Sequence, residues 1–252
     1  MATYLYVLAV GPIQDFIAAA RRTRDLWFGS HLLSEICKAA AKQIAESGGT
    51  LIFPDRKQGS PDLEPSSEPD AFNVANIILA EIDADNISIS TLDTDAKTAA
   101  HERWKTYADE ARALVKKATI GTIREEIWDE QIKDVIECYS AWIPLKRKED
   151  YKDARKRLMY LLAGRKSIRN FSQLPPFPKT PKCSLCGARE SVFVRGFPMK
   201  RDVALRLRLK SSEDLCAVGL TKRLGGGKLP FPSVVRVLRS VASRHQAGHK
   251  NH

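Results

Sequence analysis

The chain has 252 residues, 43% of them hydrophobic, which is enough for a packed core and leaves room for one large domain or two small ones. This excludes a disordered tail, and no stretch approaches the roughly 20 apolar residues of a membrane span. The formal charge of +11 is unevenly spread: residues 1–144 carry 15 Lys/Arg against 23 Asp/Glu, net −8, whereas residues 145–252 carry 26 against 7, net +19. A basic half of that density is the footprint of a polyanion-binding surface, with nucleic acid the expected partner; a solubilising face and a mate for an acidic subunit are the alternatives.

The chain opens on an uncharged run, Tyr4 to Val10, that alternates on neither face, as expected of a central strand covered on both sides. Gly11 and Pro12 then turn the chain into a helix whose stripe is Ile13, Phe16, Ile17 and Ala20. Arg21, Arg22 and Arg24 are expected at its C-terminal end, where cations suit the helix dipole, or else as an ordinary solvated terminus. The opening has no basic n-region, and Gln14 and Asp15 interrupt its apolar run. It does not read as a signal peptide, so a soluble, cytoplasmic protein without membrane contact is expected.

Trp27-Phe28-Gly29-Ser30 breaks the pattern, with Ser30 a candidate cap for a second helix from about His31 to Glu46 that Ser47-Gly48-Gly49 ends. Strands follow at Thr50–Phe53 and Asn76–Ile82, separated by a polar loop rich in proline and serine. Residues 93–138 carry a helical period with a break at Gly121, and Trp104, Tyr107, Ala108, Ala111, Leu114 and Val115 share one core-facing stripe. A strand at Cys138–Pro144 and a basic helix at Asp150–Ala163 complete an α+β unit. The proline-rich linker Leu174–Pro178 marks the expected boundary: residues 1–174 form the first domain, 175–224 a small cysteine-bearing region with a short strand at Ser191–Val194, and 225–252 a flexible basic tail.

The five cysteines are odd in number and unevenly spread, which does not suggest a disulfide framework. Cys183-x-x-Cys186-Gly187 is instead half of a zinc ribbon, two thiolates on a tight knuckle. Cys216 lies at a workable separation for the second half, but Gly219 stands where its partner cysteine belongs. The fourth ligand is then a histidine (His245 or His249), a water, or nothing, and any zinc is expected to be structural. Asp83 and Asp85 at a strand exit could hold a metal but read more simply as surface carboxylates. Gly225-Gly226-Gly227-Lys228 is not a phosphate loop, because Lys222 occupies the first glycine position and Leu229 follows the lysine. Exposed cations for RNA are expected at Arg201, Arg206, Arg208, Lys222 and Arg223.

Gly11-Pro12-Ile13-Gln14-Asp15-Phe16-Ile17, Ala20–Trp27, Gly29-Ser30 and Leu33-Ser34 resemble the first palm of the large, polymerase/cyclase-like subunit of type III CRISPR effector complexes in its Cmr-type (III-B) form. Arg165-Lys166 with Arg169 and Phe171, Cys183–Gly187 with Arg189-Glu190-Ser191, and Leu215–Val218 with Lys222-Arg223 match that subunit in the same order. The resemblance implies a ferredoxin-like β-α-α-β-α-β palm with a helical insertion, followed by a zinc-ribbon-like region. It also implies other type III subunits, crRNA and target RNA as partners, and nucleotide contacts at Gly29, Ser30, Arg21 and Arg24. The sequence lacks the family's Gly-Gly-Asp-Asp metal site and any His-Asp dipeptide, and two-metal polymerisation requires paired carboxylates. The expected protein is therefore a truncated form, a structural and RNA-contacting subunit that is not catalytic alone. The alternatives are the nucleotide-binding half of a split cyclic oligoadenylate synthetase, using ATP and Mg²⁺ or Mn²⁺ only when a second palm completes it, and a free zinc-ribbon RNA-binding module.

Overall fold

A computed structural model of the chain describes residues 3–66, 73–118, 123–133, 135–145, 151–168, 177–194, 201–210 and 213–225. Its centre is a four-stranded antiparallel sheet of β1 (Thr3–Gly11), β2 (Thr50–Phe53), β3 (Ile77–Asp83) and β4 (Glu137–Pro144), in the order β2-β3-β1-β4. In the register, Val7 lies opposite Leu79 on one side and Ala141 on the other. Helices α1 (Gln14–Ala18) and α2 (Thr23–Glu46) connect β1 to β2, and α3 (Ile89–Ala118) and α4 (Glu125–Lys133) connect β3 to β4. Each half is thus a split β-α-β unit with a strand of the other half inserted between its own two.

The unbroken apolar run of β1 has a direct physical cause, because both faces of the strand are covered. Tyr6, Leu8 and Val10 enter one core with Phe28, Leu32 and Ile36 of α2 and Trp104 and Ala111 of α3. Leu5, Val7 and Ala9 enter a second core beneath α5 (Tyr151–Ser167), where Ala154, Leu158 and Leu162 are buried. The Tyr6 hydroxyl donates to Asp93 Oδ1 at 2.8 Å, so the one polar atom pointing from this strand into the larger core is satisfied.

Several local expectations are corrected. α1 is five residues long and stops before the arginines, and α2 begins at Thr23 after an extended Arg22. Arg21, Arg22 and Arg24 therefore gather around the positive end of α2 rather than the negative end of the preceding helix. Gly29 and Ser30 form no turn or cap, since both lie inside the 24-residue α2. Packing overrides local propensity here: Leu32, Leu33, Ile36 and Phe28 need one continuous face against α3. The strand expectations at 4–10, 50–53, 76–82 and 138–144 correspond to the four observed strands within one or two residues. Gly121, where the helical stretch was expected to break, lies outside the described residues; Val135 and Ile136 are buried in the link between α4 and β4 rather than in a helix. Beyond α5, Ser191–Val194 contributes only an isolated bridge between Phe193 and Ile123, followed by α6 (Arg201–Arg206) and α7 (Ala217–Gly225), which packs on α2, α3 and α4.

Leu158 is fully buried in the smaller core, so Leu158→Ala should cost about 2–5 kcal/mol in urea-induced unfolding with little change of slope.

Candidate metal centre

The segment 183–190 folds back on itself. The Cys183 amide donates to Arg189 O at 2.7 Å and the Gly187 amide to Cys183 O at 2.9 Å, and Gly187 takes φ +65°, which glycine adopts without strain. The Leu185 amide points at Cys183 Sγ at 3.4 Å, as in a thiolate knuckle. Cys216 arrives at the start of α7, held by Val192 N donating to Leu215 O at 3.0 Å and Ser184 N to Asp214 O at 2.7 Å. Its own sulfur accepts from Gly219 N at 3.3 Å.

Gln131 of α4, which sequence reasoning missed, clasps the two arms together. Its Nε2 donates to Glu190 O at 2.8 Å, and its Oε1 accepts from Ala217 N at 2.9 Å. A glutamine within a helical apolar pattern carries no sequence signal for this role, because both its partners are backbone groups some 60 to 86 residues away.

The result brings the three predicted metal residues together. The sulfurs of Cys183, Cys186 and Cys216 all lie within 4.8 Å of one another, two of them buried. Zinc–sulfur bonds of about 2.3 Å at tetrahedral angles imply sulfur separations of about 3.8 Å, so the cluster suits a single thiophilic ion after slight contraction. Hydrogen bonds from Cys183 and Cys216 hold the Cys186 sulfur well below the ordinary thiol range. The same cysteine contacts, followed by burial, push Cys216 up. Among the described residues, no histidine, aspartate or glutamate joins this group; His245 and His249 lie outside them. Asp83 accepts from the Asp85 amide at 3.1 Å and from Asn86 Nδ2 at 2.9 Å, which makes it a turn-closing carboxylate.

Lys222 and Arg223, expected at an RNA surface, are instead 1% exposed. The Lys222 ammonium donates to the carbonyls of Phe16 and Ala19, the latter at 2.6 Å. Burial pushes it down to about 8, against the pull of Asp25 and the three cysteines. Arg223 Nε donates to Asp25 Oδ2 at 2.8 Å, and its Nη1 to Arg208 O at 2.9 Å and Glu213 Oε2 at 3.3 Å. With their donors committed to these partners, neither side chain stands at an open surface of the described residues. Gly29, expected to touch nucleotide, packs against the same lysine, since a Cβ there would stand 3.2 Å from Lys222 Cε. Ser30, Arg21, Arg201 and Arg206 are exposed, and Arg24 and Arg208 are half-buried.

A cleft of about 650 Å³ opens between the start of α1 and the cysteine cluster, lined by Asp15, Phe16, Cys186, Arg189, Gly219 and Lys222 among others. None of the described helices is long and apolar enough to cross a membrane.

Residues 5–109 match the family model of CRISPR-associated protein Cmr2, N-terminal. No curated protein matches the chain. Among solved structures, a chain of the type III-B Cmr-beta complex bound to cognate target RNA, determined by cryo-electron microscopy, superposes with a TM-score of 0.55 at 16% identity. The superposition covers 89% of this chain and 32% of that one, so the chain spans about a third of the length of the structure it matches.

Two outcomes are expected. The purified chain should carry about one thiophilic divalent ion, which Cys216→Ser should abolish in elemental analysis. Asp25→Ala, which leaves the Arg223 charge buried beside Glu213 alone, should lower stability by about 3–5 kcal/mol by denaturant titration.

Proposed function

With residues 5–109 carrying a Cmr2-type N-terminal segment, we propose that this chain is a structural, RNA-contacting subunit of a type III CRISPR RNA-guided antiviral effector complex and does not polymerise nucleotides by itself. The observation that carries the reading is the overlap of that segment with β1, β2, β3 and most of α3, in a sheet whose two interlocked split β-α-β units, in the order β2-β3-β1-β4, have the connectivity of a ferredoxin-like palm. One structure that the chain superposes on is a Cmr-beta complex bound to cognate target RNA, which supports other type III subunits and target RNA as partners, and crRNA joins them on the family resemblance. Residues 1–174 then constitute the palm, 175–224 a zinc-ribbon-like region docked on α2, α3 and α4 through α7, and 225–252 a basic tail. The ion at the cysteines is zinc in a structural role, tying the 183–190 knuckle to the start of α7. RNA contact falls to the accessible cations of the C-terminal half, Arg201 and Arg206 foremost with Arg208 beside them, and not to the sealed pair.

The purified chain should join a crRNA-containing complex in pull-down and bind single-stranded RNA at low salt. Each phosphate contact removed in an Arg201→Ala, Arg206→Ala or Arg208→Ala variant should lower the slope of log affinity against log salt by about 0.7. Failure both to join the complex and to bind RNA at low salt sinks the reading.

A second reading, the nucleotide-binding half of a split cyclic oligoadenylate synthetase, is favoured by the position of Arg21, Arg22 and Arg24 at the positive end of α2. The paired carboxylates would then come from another chain. Oligoadenylate formed from ATP with Mg²⁺ or Mn²⁺ only when a Gly-Gly-Asp-Asp palm chain is added, and lost in Arg24→Ala, is the expected outcome. No product in any combination eliminates it.

A further inference from the structure

Resting on the metal reading of the three cysteines, we propose that the ion held by Cys183, Cys186 and Cys216 keeps a fourth coordination position open beside Gly219, where it takes water or a small soft donor such as a low-molecular-weight thiolate. The argument begins from the missing side chain. A Cβ built on Gly219 would stand 3.6 Å from Cys216 Sγ and 3.7 Å from Cys183 Sγ, so any side chain growing from this position heads into the sulfur cluster. Cys216-x-x-Gly219 repeats the spacing of Cys183-x-x-Cys186, and a closed tetrahedral site would draw its fourth thiolate from there.

With glycine in place, the space on that side of the sulfurs belongs to the cleft. Cys186, Cys216 and Gly219 line it together, in a volume of about 650 Å³ that accommodates a small molecule. Among the described residues, other donors near the cleft do not fill the position. Asp15 and Glu137 line it without offering an oxygen to the cluster, and Glu137 Oε2 already accepts from the Tyr139 hydroxyl at 2.9 Å. The Lys222 ammonium is turned to the carbonyls of Phe16 and Ala19.

Charge points the same way. Three thiolates around a divalent ion leave one net negative charge, whereas a fourth would leave two. Lys222 and Arg189 line the cleft and offset the smaller charge while leaving room for a further anionic donor. Three protein ligands with an accessible fourth position let the ion exchange its outer ligand while the three cysteines still hold the fold together.

The test uses the full chain loaded with Co²⁺, whose visible bands report coordination directly, titrated with 2-mercaptoethanol and separately with imidazole. The wild type should show a saturable band shift with 2-mercaptoethanol. Gly219→Cys should show none with either ligand, and its thiolate-to-cobalt absorbance should rise by about a third, since four thiolates replace three. The new Cβ itself presses on the flexible tip of Leu185, 3.3 Å away, and lies in ordinary contact with the sulfurs of Cys216 and Cys183. If the variant does not fold, the wild-type titration decides alone. Wild-type bands indifferent to both ligands overturn the proposal. So does a response that appears only in a His245→Ala/His249→Ala double variant, which would show that a histidine closes the site. A wild type that binds no Co²⁺ at all sinks the metal reading itself, and that result is distinct from a bound but unresponsive ion.

Discussion

Two adjacent cations with almost no access to water, Lys222 and Arg223, fasten the end of the described chain to its beginning. Burying such charges costs several kcal/mol each unless their donors are met. The partners that meet all of them but Arg223 Nη2 come from separate parts of the chain: carbonyls at the end of α1, Asp25 in the first turn of α2, Glu213, and the backbone of Arg208. Consecutive residues on a helix project about 100° apart. Satisfying one partner set for each therefore fixes both the rotation and the depth of α7. Cys216, one residue before that helix, has its sulfur placed by the same constraint, so the metal cluster follows from the cation pair as much as from the cysteines.

The other organising constraint is the double burial of β1. Its odd and even positions serve different cores, which leaves no face on which a charge could be tolerated. This is why the central strand, the three others and the long helices of the first half were legible in the sequence: period and composition are local properties, and here they agree with the tertiary demand. The cysteine cluster was legible for a related reason, because a Cys-x-x-Cys-Gly knuckle is built almost wholly from its own backbone.

What the sequence concealed was everything settled by contact between distant segments. A Trp-Phe-Gly-Ser stretch looks like a break, but Gly29 keeps α2 narrow where the Lys222 stem passes at 3.2 Å from its unbuilt Cβ. α7 was hidden because Gly219, Thr221 and Gly225 are poor helix formers. Its helix is carried by burial of Leu220 and Leu224 and by the anchored cations. Lys-Arg pairs in a basic half read as solvent-facing because burial is not a property of a dipeptide. Counting charges toward an RNA surface therefore overstates the part of the +19 that is available.

The metal cluster and the cation pair are electrostatically one unit. Asp25 acts on both cations, bonded to Arg223 and drawing the Lys222 ammonium back toward its charged form, and the three cysteines act on Lys222 in the same sense. Thiolate charge at the cluster thus lowers the cost of keeping Lys222 protonated in a dry site, and Lys222 in turn favours sulfur in its deprotonated, ligating form. An ion that neutralises two of three thiolate charges leaves a residual negative charge beside the lysine, which preserves this mutual support. A fourth thiolate built into the chain would double that charge permanently, whereas an exchangeable donor from the cleft adds it only while bound, beside Lys222 and Arg189. Glycine at 219 therefore fits the electrostatics of the site as well as its geometry: it leaves the fourth position to a donor that can depart again, rather than fixing a second negative charge beside Lys222.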